Sequence, residues 1–324
     1  MISENLLREQ LKFVLTKTDL EFLGEKYEGK VRDCYTRGDT RYLITSDRIS
    51  CFDVVVTSIP FKGQTLNQMA VHWFKLTQEI VKNHLVDAPD PNVMVARNCE
   101  MLPVEVIVRA YIAGSAWRDY EAGNPISGVR LPPGMKPSQK LPHKIVTPST
   151  KAGKGAHDQP ISEEQILSSR LVDAKLWTKV KETALALFAL GEQRAKEQGL
   201  ILVDTKYEFG LLAGELTLAD EIHTMDSSRY WIAESYQERF DSGEAPEMLD
   251  KEPTRQWLLS KGYKGEGEIP NFSDSHRVSL GKHYINSFER ITGSPFEGSV
   301  GPVAERVEKN LRAYSENVGH AASQ

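Results

Sequence analysis

The chain has 324 residues, of which 40% are hydrophobic and 26% are charged. These proportions are typical of a folded globular protein with one large or two modest domains, and they exclude an intrinsically disordered chain. The formal net charge of -5 at pH 7 argues against nucleic acid as the main partner, because such proteins cluster Lys and Arg against phosphates, but it allows a local basic pocket.

The first hundred residues contain the short runs of Val, Ile, Leu and Tyr that are typical of β-strands. Arg37-Gly38-Asp39 lies between two such runs and predicts a hairpin. Apolar residues recur at steps of three and four over 64–82, which predicts a helix. The predicted strands are 26–35, 41–45, 93–96 and 104–108.

Residues 121–160 break this regularity, because seven of the 16 prolines and five glycines fall there. The composition predicts a long irregular stretch, which in a compact protein is typical of a functional loop or lid; a passive surface insertion is the alternative. The stretch contains Thr147–Lys151, with hydroxyl groups and a cation, and then His157 and Asp158. A lone histidine is more often structural than catalytic, so we do not assign His157 as a base.

Regular structure is predicted again from Ala174. A long amphipathic helix ends at Gly199, a typical C-terminal cap, and a β-hairpin follows. The predicted elements are helix 174–198, strands 200–212 and 216–220, and helices 251–261, 277–291 and 303–316. Without regular βαβ alternation, the order favours an α+β fold over a doubly wound sheet. We expect a strand-rich N-terminal lobe, 1–101, and a larger mixed C-terminal lobe, 102–324.

Three irregularly spaced cysteines, Cys34, Cys51 and Cys99, predict neither a disulfide framework nor a zinc site. The first residues lack the apolar core of a signal peptide, and no apolar run approaches the about 20 residues that span a bilayer. We therefore expect a cytoplasmic protein with no membrane partner. A monomer and a homo-oligomer are both open.

The strongest sign of a chemical site is in the segment 200–220. Because side chains alternate along a strand, Asp204, Lys206 and Glu208 share one face. Three charges on one face of a buried strand are costly unless they are paired or bind a ligand. The segment therefore predicts a functional site, with a solvated hairpin face and a Lys–Glu pair as the alternative.

The register of the hairpin decides whether a metal ion could bind. If Leu212 pairs with Leu216 across a three-residue loop, Glu208 faces Asp220 on the same side. Two such carboxylates can hold Mg²⁺ beside substrate phosphates. A two-residue loop would put Glu208 and Asp220 on opposite faces.

Two further segments lie near the N-terminus. In Glu28–Asp33, Gly29 lets the backbone approach a ligand, and Lys30 and Arg32 point to one face that could cover a triphosphate. The alternative is an ordinary hairpin. The second segment, Ser46–Asp53, could bind an amino acid or a phosphate ester or simply form a cap or turn. Its candidate substrate ligands are Asp47, Arg48, Ser50 and Asp53.

Two segments of the predicted C-terminal lobe could bind a phosphate. Arg109 lies in an apolar run, and Ser115 follows Gly114 at a predicted helix start. A buried guanidinium, a hydroxyl and free backbone N–H groups would suit a phosphate, although Arg109 could equally form a structural pair with a carboxylate. Arg229 could join Arg109 at the phosphate.

Six segments together resemble the SAICAR synthetase (phosphoribosylaminoimidazole-succinocarboxamide synthase) family. They keep their order and span nearly the whole chain, which makes the set far more specific than any one of them. The segments are GKVRDCY (29–35), SDRISCFDVV (46–55), LPVEVIVRAYIAGSAWRDY (102–120), VTPSTKA (146–152), GLILVDTKYEFG (199–210) and ADEIHTMDSSRYW (219–231).

The resemblance implies a two-lobed fold whose ATP-binding part is similar to protein kinases and ATP-grasp enzymes. It implies a ligase of de novo purine (IMP) biosynthesis. ATP, L-aspartate and carboxyaminoimidazole ribotide (CAIR) would give SAICAR, ADP and phosphate through an acyl phosphate. The implied cofactors are ATP and Mg²⁺.

The resemblance also implies roles for individual residues. Gly29, Lys30 and Arg32 would lie over the ATP phosphates, and Glu100 and Met101 would read the adenine by backbone groups. Glu208 and Asp220 would bind the metal ion, with Asp204 and Lys206 beside them. Arg109, Ser115 and Arg229 would hold the ribotide phosphate. Lys30 and Lys206 would neutralise charge during catalysis, and Asp204 is a candidate acceptor for the amine proton.

Two other functions are compatible with the same residues. A small-molecule kinase would phosphorylate its substrate and stop, so it would release ADP without an amino acid. A non-catalytic nucleotide-binding regulator would bind ATP without turnover. The regulator is disfavoured because every proposed ligand is present with its charge.

Overall fold

A computed structural model describes residues 2–151 and 158–321. The helices are α1 (Glu4–Gln10), α2 (Lys62–Leu76), α3 (Ser115–Glu121), α4 (Glu163–Ser168), α5 (Ala174–Glu197), α6 (Ala233–Ser242), α7 (Glu252–Ser260), α8 (Asp274–Thr292) and α9 (Val303–Ala321). The strands are β1 (Glu25–Glu28), β2 (Arg32–Arg37), β3 (Thr40–Thr45), β4 (Arg48–Cys51), β5 (Val54–Ser58), β6 (Leu85–Asp90), β7 (Val93–Arg97), β8 (Glu100–Tyr111), β9 (Lys140–Thr150), β10 (Leu200–Leu212), β11 (Glu215–Ala219) and β12 (Ser228–Ile232).

The chain forms two compact units. The first comprises Met1–His72, Leu85–Asn98 and Lys251–Gln324, and the second comprises Trp73–His84 and Cys99–Asp250. The sequence predicted one division, between residues 101 and 102. The structure instead groups the helices that follow Asp250 with the N-terminal strands.

The first unit is built on an antiparallel five-stranded sheet in the order β1-β2-β3-β7-β6. Tyr35, Ile44 and Val95 of this sheet form a hydrophobic core with Val307 and Leu311 of α9. The two α9 residues are four positions apart and so lie on one face of the helix. This shared core explains why the C-terminal helix belongs to the first unit.

The second unit contains a sheet in the order β11-β10-β8-β9, and β12 also pairs with β10. All of these pairings are antiparallel. Val104, Val106 and Val108 alternate along β8 as fully buried apolar residues, and helix α5 packs on β8 and β10. The intervening β8 positions, including Glu105 and Arg109, belong to the opposite, polar face.

The prediction of an irregular stretch over 121–160 is wrong for β9. Strand β9 lies at the edge of the sheet and pairs with β8, with Pro148 opposite Val106. Proline cannot donate a backbone hydrogen bond, so it is tolerated mainly in edge strands. The prolines therefore indicated an edge strand as much as a loop.

The remaining predicted elements agree with the structure, with shifts of a few residues at their ends. The predicted strand 26–35 is divided into β1 and β2 around Gly29–Val31, and the predicted helix 64–82 is α2, which ends at Leu76. The architecture is the mixed α+β fold that the order of elements predicted. In the described ranges, no helix has the length and apolar character needed to cross a membrane.

Candidate active site on the polar face of the second unit

The turn between β10 and β11 has two residues, Ala213 and Gly214, and it pairs Leu212 with Glu215. Both turn residues have positive φ, 50° and 78°, as a tight hairpin turn of this kind requires. A three-residue loop was our condition for a metal site, and that condition is not met.

Glu208 and Asp220 nevertheless converge. Asp220 follows the last residue of β11 and has a φ of 65°, so strand alternation no longer dictates its side-chain direction. Its Oδ2 atom lies 3.8 Å from Lys206 Nζ, and Lys206 Nζ also donates to Glu208 Oε1. A local change of backbone conformation, not the hairpin register, brings both carboxylates to one ammonium group.

Lys206 lies among three carboxylates. Its Nζ atom donates to Glu105 Oε1 at 2.9 Å and also to Glu208 Oε1. Glu105 of β8 is directly opposite Glu208 of β10, so one ammonium group can reach both carboxylates. Burial by itself would lower the pKa of Lys206, but Glu208, Asp220 and Glu105 outweigh it and hold the pKa well above its usual value. The Lys206 ammonium therefore stays charged and cannot act as a base near neutral pH.

Glu208 is held by two lysines. Lys206 contacts its Oε1 atom and Lys151 contacts its Oε2 atom. Burial would raise the pKa of Glu208, but the two ammonium groups outweigh burial and keep the pKa far below its usual value. In contrast, burial and the nearby Glu208 raise the pKa of Glu105 despite the attraction of Lys206.

Asp204 joins two guanidinium groups on the same face. Its Oδ2 atom accepts from Arg109 Nη1 at 3.0 Å and from Arg229 Nη1 at 2.6 Å. Arg109 also donates from Nε to Thr147 Oγ1 at 2.8 Å. Burial and the charge of Arg229 lower the pKa of Arg109, and Asp204 offsets only part of this. Arg109 and Arg229 thus form a cationic cluster around one carboxylate oxygen.

The start of helix α3 closes on this cluster. Arg109 Nη2 donates to Ser115 Oγ at 3.4 Å. The preceding Gly114 has a φ of 57°, and a methyl group added there would lie 2.3 Å from Arg229 Nη2. The absence of a side chain at Gly114 therefore lets the backbone approach the guanidinium. The structure brings Arg109, Ser115 and Arg229 together as the sequence predicted.

In the first unit, Arg48 and Asp47 have structural contacts. Arg48 donates to the carbonyl oxygens of Gly29 and Lys30, both at 2.9 Å, and to Asp33 Oδ1 at 2.8 Å. Asp47 accepts from the backbone N–H groups of Leu15 at 2.7 Å and Gly63 at 2.8 Å. Burial raises the Asp47 pKa to about 6. Both side chains hold loops in place, and their contact with substrate stays a prediction.

The other predicted ligands of the first unit lie near the same loop. Lys30 pairs with Asp53, and both side chains are about half exposed. Arg32 begins β2 and Ser50 lies in β4; both are partly buried. Their ligand roles stay predictions.

Glu100 and Met101 begin strand β8 in the second unit. They lie opposite Leu211 and Gly210, where a methyl group on Gly210 would come within 3.0 Å of the Glu100 carbonyl oxygen. The strands therefore approach closely at this point. The role of Glu100 and Met101 in reading adenine stays a prediction.

Sequence reasoning missed Glu105 on the polar face, and it named Thr147, Ser149 and Lys151 only as part of a candidate lid. Ser149 Oγ donates to Glu105 Oε2 at 3.4 Å, and Thr147 and Lys151 contact Arg109 and Glu208. The residues at 147, 149 and 151 have the period of a strand face, which was the available signal. His157, named in the same segment, lies outside the described residues.

The two carboxylates Glu208 and Asp220 suit a hard cation that also binds water or substrate oxygens. Among residues 2–151 and 158–321, no group of three or more His, Cys, Asp or Glu side chains is arranged to hold a metal ion. Mg²⁺ is usually bound by one or two carboxylates together with substrate phosphates and water. Glu208 and Asp220 fit that pattern, and Lys206, held by both, marks a position where positive charge is stabilised.

The profile of the family described as SAICAR synthetase matches residues 25–270. The phosphoribosylaminoimidazole-succinocarboxamide synthase of Bacteroides fragilis is 49% identical over 308 residues, covering 93% of this chain and 98% of the relative. The enzyme of the same name from Legionella pneumophila strain Lens is 45% identical, covering 93% and 99%.

Solved structures with a similar fold carry the same family name. A structure described as SAICAR-synthase from Saccharomyces cerevisiae complexed with SAICAR has a TM-score of 0.77 and 34% identity, covering 88% of this chain and all of that chain. A type-2 SAICAR synthetase in complex with ADP has a TM-score of 0.66 and 27% identity, covering 85% and 100%. The family match, the high coverage and the shared fold place the chain in the SAICAR synthetase family.

Proposed function

We propose that this protein joins L-aspartate to the carboxylate of CAIR, consuming ATP and giving SAICAR, ADP and phosphate in de novo purine biosynthesis. Family membership supports this reaction, as do the SAICAR and ADP complexes of the similar structures. The observation that carries the proposal is one polar sheet face that bears both a two-guanidinium cluster and a carboxylate–lysine cluster.

The guanidinium cluster would bind the phosphate of the ribotide. Arg109 and Arg229 can donate to phosphate oxygens in parallel, a geometry that makes arginine the preferred phosphate ligand. Ser115 and the start of α3 add a hydroxyl group at the same place. Asp204 would keep the two guanidinium groups together before the substrate arrives.

The carboxylate–lysine cluster would serve the phosphoryl transfer. A carboxylate oxygen of CAIR attacks the γ-phosphorus of ATP, the bond to the bridging oxygen breaks, and ADP leaves with the electron pair. Lys206 offsets the negative charge of the phosphates. Glu208 and Asp220 would hold magnesium, which would supply further positive charge to offset the phosphates.

The second step forms the amide. The amine of aspartate attacks the acyl phosphate carbon, and the carbon–oxygen bond breaks to release phosphate. The amine must also lose a proton, which the released phosphate can accept. Asp204 is a poor acceptor, because its Oδ2 atom is already shared by two guanidinium groups. We therefore revise its role from base to positioning residue.

The ligands predicted in the first unit and at the start of β8 remain part of the proposal. Gly29, Lys30 and Arg32 would contact the ATP phosphates, and the backbone of Glu100 and Met101 would read the adenine. The loop 46–53 supplies the remaining substrate candidates. Their support is the resemblance of the segments that contain them.

Aspartate dependence tests the reaction. Purified protein is given ATP, CAIR and Mg²⁺ with and without L-aspartate, and ADP, phosphate and SAICAR are measured. We expect SAICAR and ADP in equal amounts only with aspartate, because an acyl phosphate protected from water has no other acceptor. Sustained ADP release at the same rate without aspartate would contradict the ligase and favour the kinase alternative.

A further inference from the structure

Lys151 contacts Glu208 from the edge strand of the second unit. Its Nζ atom donates to Glu208 Oε2, while Lys206 Nζ donates to Oε1. Each oxygen of this carboxylate therefore already has an ammonium group. The Glu208 side chain is only 8% exposed, so an incoming cation has little free access to it.

We propose that Lys151 is a resident counter-ion of Glu208 that competes with the divalent cation for this carboxylate. The inference rests on the proposed function, in which Glu208 is a metal ligand. A divalent ion on Glu208 would lie close to an ammonium group, and the repulsion between its double charge and that ammonium would favour displacement of one lysine.

Lys151 is the lysine that can leave. Lys206 is within 4 Å of oxygens of Glu105, Glu208 and Asp220, and its side chain is 27% exposed. Lys151 contacts one carboxylate among the described residues, and its side chain is 40% exposed. Fewer ion pairs and greater exposure make the Lys151 contact the cheaper one to break.

The exchange needs no movement of the main chain. The backbone N–H of Lys151 donates to the carbonyl oxygen of Pro103 at 3.0 Å, which anchors the end of β9 beside β8. The long, flexible side chain can then rotate away from Glu208 while the strand stays paired. A displaced ammonium group this close to the site can pair with substrate phosphates.

The charge balance of the cluster explains why Lys151 pairs with Glu208. Glu105, Glu208 and Asp220 contribute three negative charges, and Lys206 and Lys151 offset two of them. Without Lys151, three carboxylates would share the single ammonium group of Lys206, so Lys151 stabilises the cluster when no metal ion is bound. It also makes bare metal a weak ligand, whereas metal that arrives with nucleotide brings phosphates for Lys151.

Direct metal titration tests the proposal. Mn²⁺ binding without nucleotide is followed by electron paramagnetic resonance for the parent, Lys151→Met and Lys151→Gln. We expect both variants to bind Mn²⁺ about tenfold more tightly, because they lose the competing charge. We also expect added ADP to tighten Mn²⁺ binding less in the variants than in the parent. Lys151→Gln is included because its amide can still donate to Glu208 if the methionine variant folds poorly.

Lys144→Met is the matched control. Lys144 lies in β9, the strand that Lys151 follows, and pairs with Glu192 at 2.7 Å, so its removal should leave the Mn²⁺ affinity at the parent value. Glu208→Gln in the same titration separates the two proposals. If Glu208→Gln abolishes Mn²⁺ binding and the Lys151 variants bind like the parent, the competition is wrong while the metal site stands. If Glu208→Gln binds normally, the metal assignment fails and the competition fails with it.

Discussion

At the scale of single residues, Asp204 is the side chain whose proposed role differs most from the one that the sequence suggested. It is buried, and one of its oxygens accepts from both Arg109 and Arg229. Two guanidinium groups that both contact one oxygen atom would repel each other if that carboxylate were absent. These contacts support the proposal that the carboxylate positions the two guanidinium groups and does not serve as a base.

Asp204→Asn separates these two roles. As a positioning residue, Asp204 controls the binding of phosphate, so we expect the apparent KM for CAIR to rise about 10–100-fold, the equivalent of roughly 1.5–3 kcal/mol for charged hydrogen bonds. Arg229→Ala should change KM in the same direction. Steady-state kinetics over a range of pH is the measurement.

The pH profile distinguishes the outcomes. For a positioning residue the profile of kcat keeps its shape in Asp204→Asn, whereas a lost base would lower kcat and flatten its rise with pH. An exposed arginine of the second unit, Arg194, pairs with Glu197, and Arg194→Ala should leave both KM and kcat unchanged. An unchanged KM in Asp204→Asn would contradict the positioning role.

At the scale of elements, helix α5 supports the site from the apolar face of the sheet. Gly191 of α5 faces His223, which follows β11. Tyr207, between the site residues Lys206 and Glu208, hydrogen-bonds His223 Nε2 at 2.7 Å from the same apolar side. The helix therefore holds the back of the strand whose front carries the chemistry.

Gly191→Ala should destabilise the protein. A methyl group at Gly191 would lie 2.2 Å from Cε1 of the His223 ring and 2.9 Å from Leu202 Cδ2, and a ring buried on all sides cannot easily move. We expect a loss of about 1–3 kcal/mol from overpacking, which outweighs the gain of about 1 kcal/mol in helix propensity. Urea denaturation measures the difference, and equal or higher stability than the parent would contradict this packing.

At the scale of the whole molecule, two fully buried titratable groups shape the dependence of stability on pH. Burial lowers the pKa of His223 to about 3 and raises the pKa of Asp47 to about 6. The folded state thus binds fewer protons than the unfolded state at His223 and more at Asp47. His223 favours folding above the usual histidine pKa of about 6.5, and Asp47 favours folding at low pH.

The two contributions oppose each other in mild acid. Stability from neutral His223 is complete above about pH 6.5 and is lost as pH falls towards 3, a total of roughly 5 kcal/mol. The Asp47 carboxyl costs up to about 3 kcal/mol as pH rises from about 4 to 6. Between pH 6.5 and 4.5 the loss at His223 only slightly exceeds the gain at Asp47, so these two groups together should lower the free energy of unfolding by less than about 1 kcal/mol.

His223→Gln isolates the larger contribution. Glutamine has no group that titrates here and can still hydrogen-bond the Tyr207 hydroxyl. Whatever the stability of the variant at pH 7.5, we expect a smaller loss between pH 6.5 and 4.5 than in the parent. Urea midpoints across this range are the measurement, and parallel curves for the two proteins would rule out His223 as the cause.

Much of this protein follows from local sequence alone. Helix α5 and its end at Gly199, the strand character of 200–212, and the shared face of Asp204, Lys206 and Glu208 all follow from periodicity and capping. These features depend on residues that are near each other in the chain, so the sequence pattern is sufficient to predict them. The order of the six segments also predicted the family correctly.

The tertiary structure decided what depends on distant residues. The hairpin has the register that should have separated Glu208 from Asp220, and the left-handed backbone at Asp220 brings them to Lys206 regardless. Edge pairing with β8 turns a proline-rich stretch into β9 and delivers Lys151 to Glu208. Strand pairing and ion pairs join residues that are far apart in the sequence, so local patterns do not predict them. The backbone conformation of a turn matters here because it decides which of these distant side chains meet.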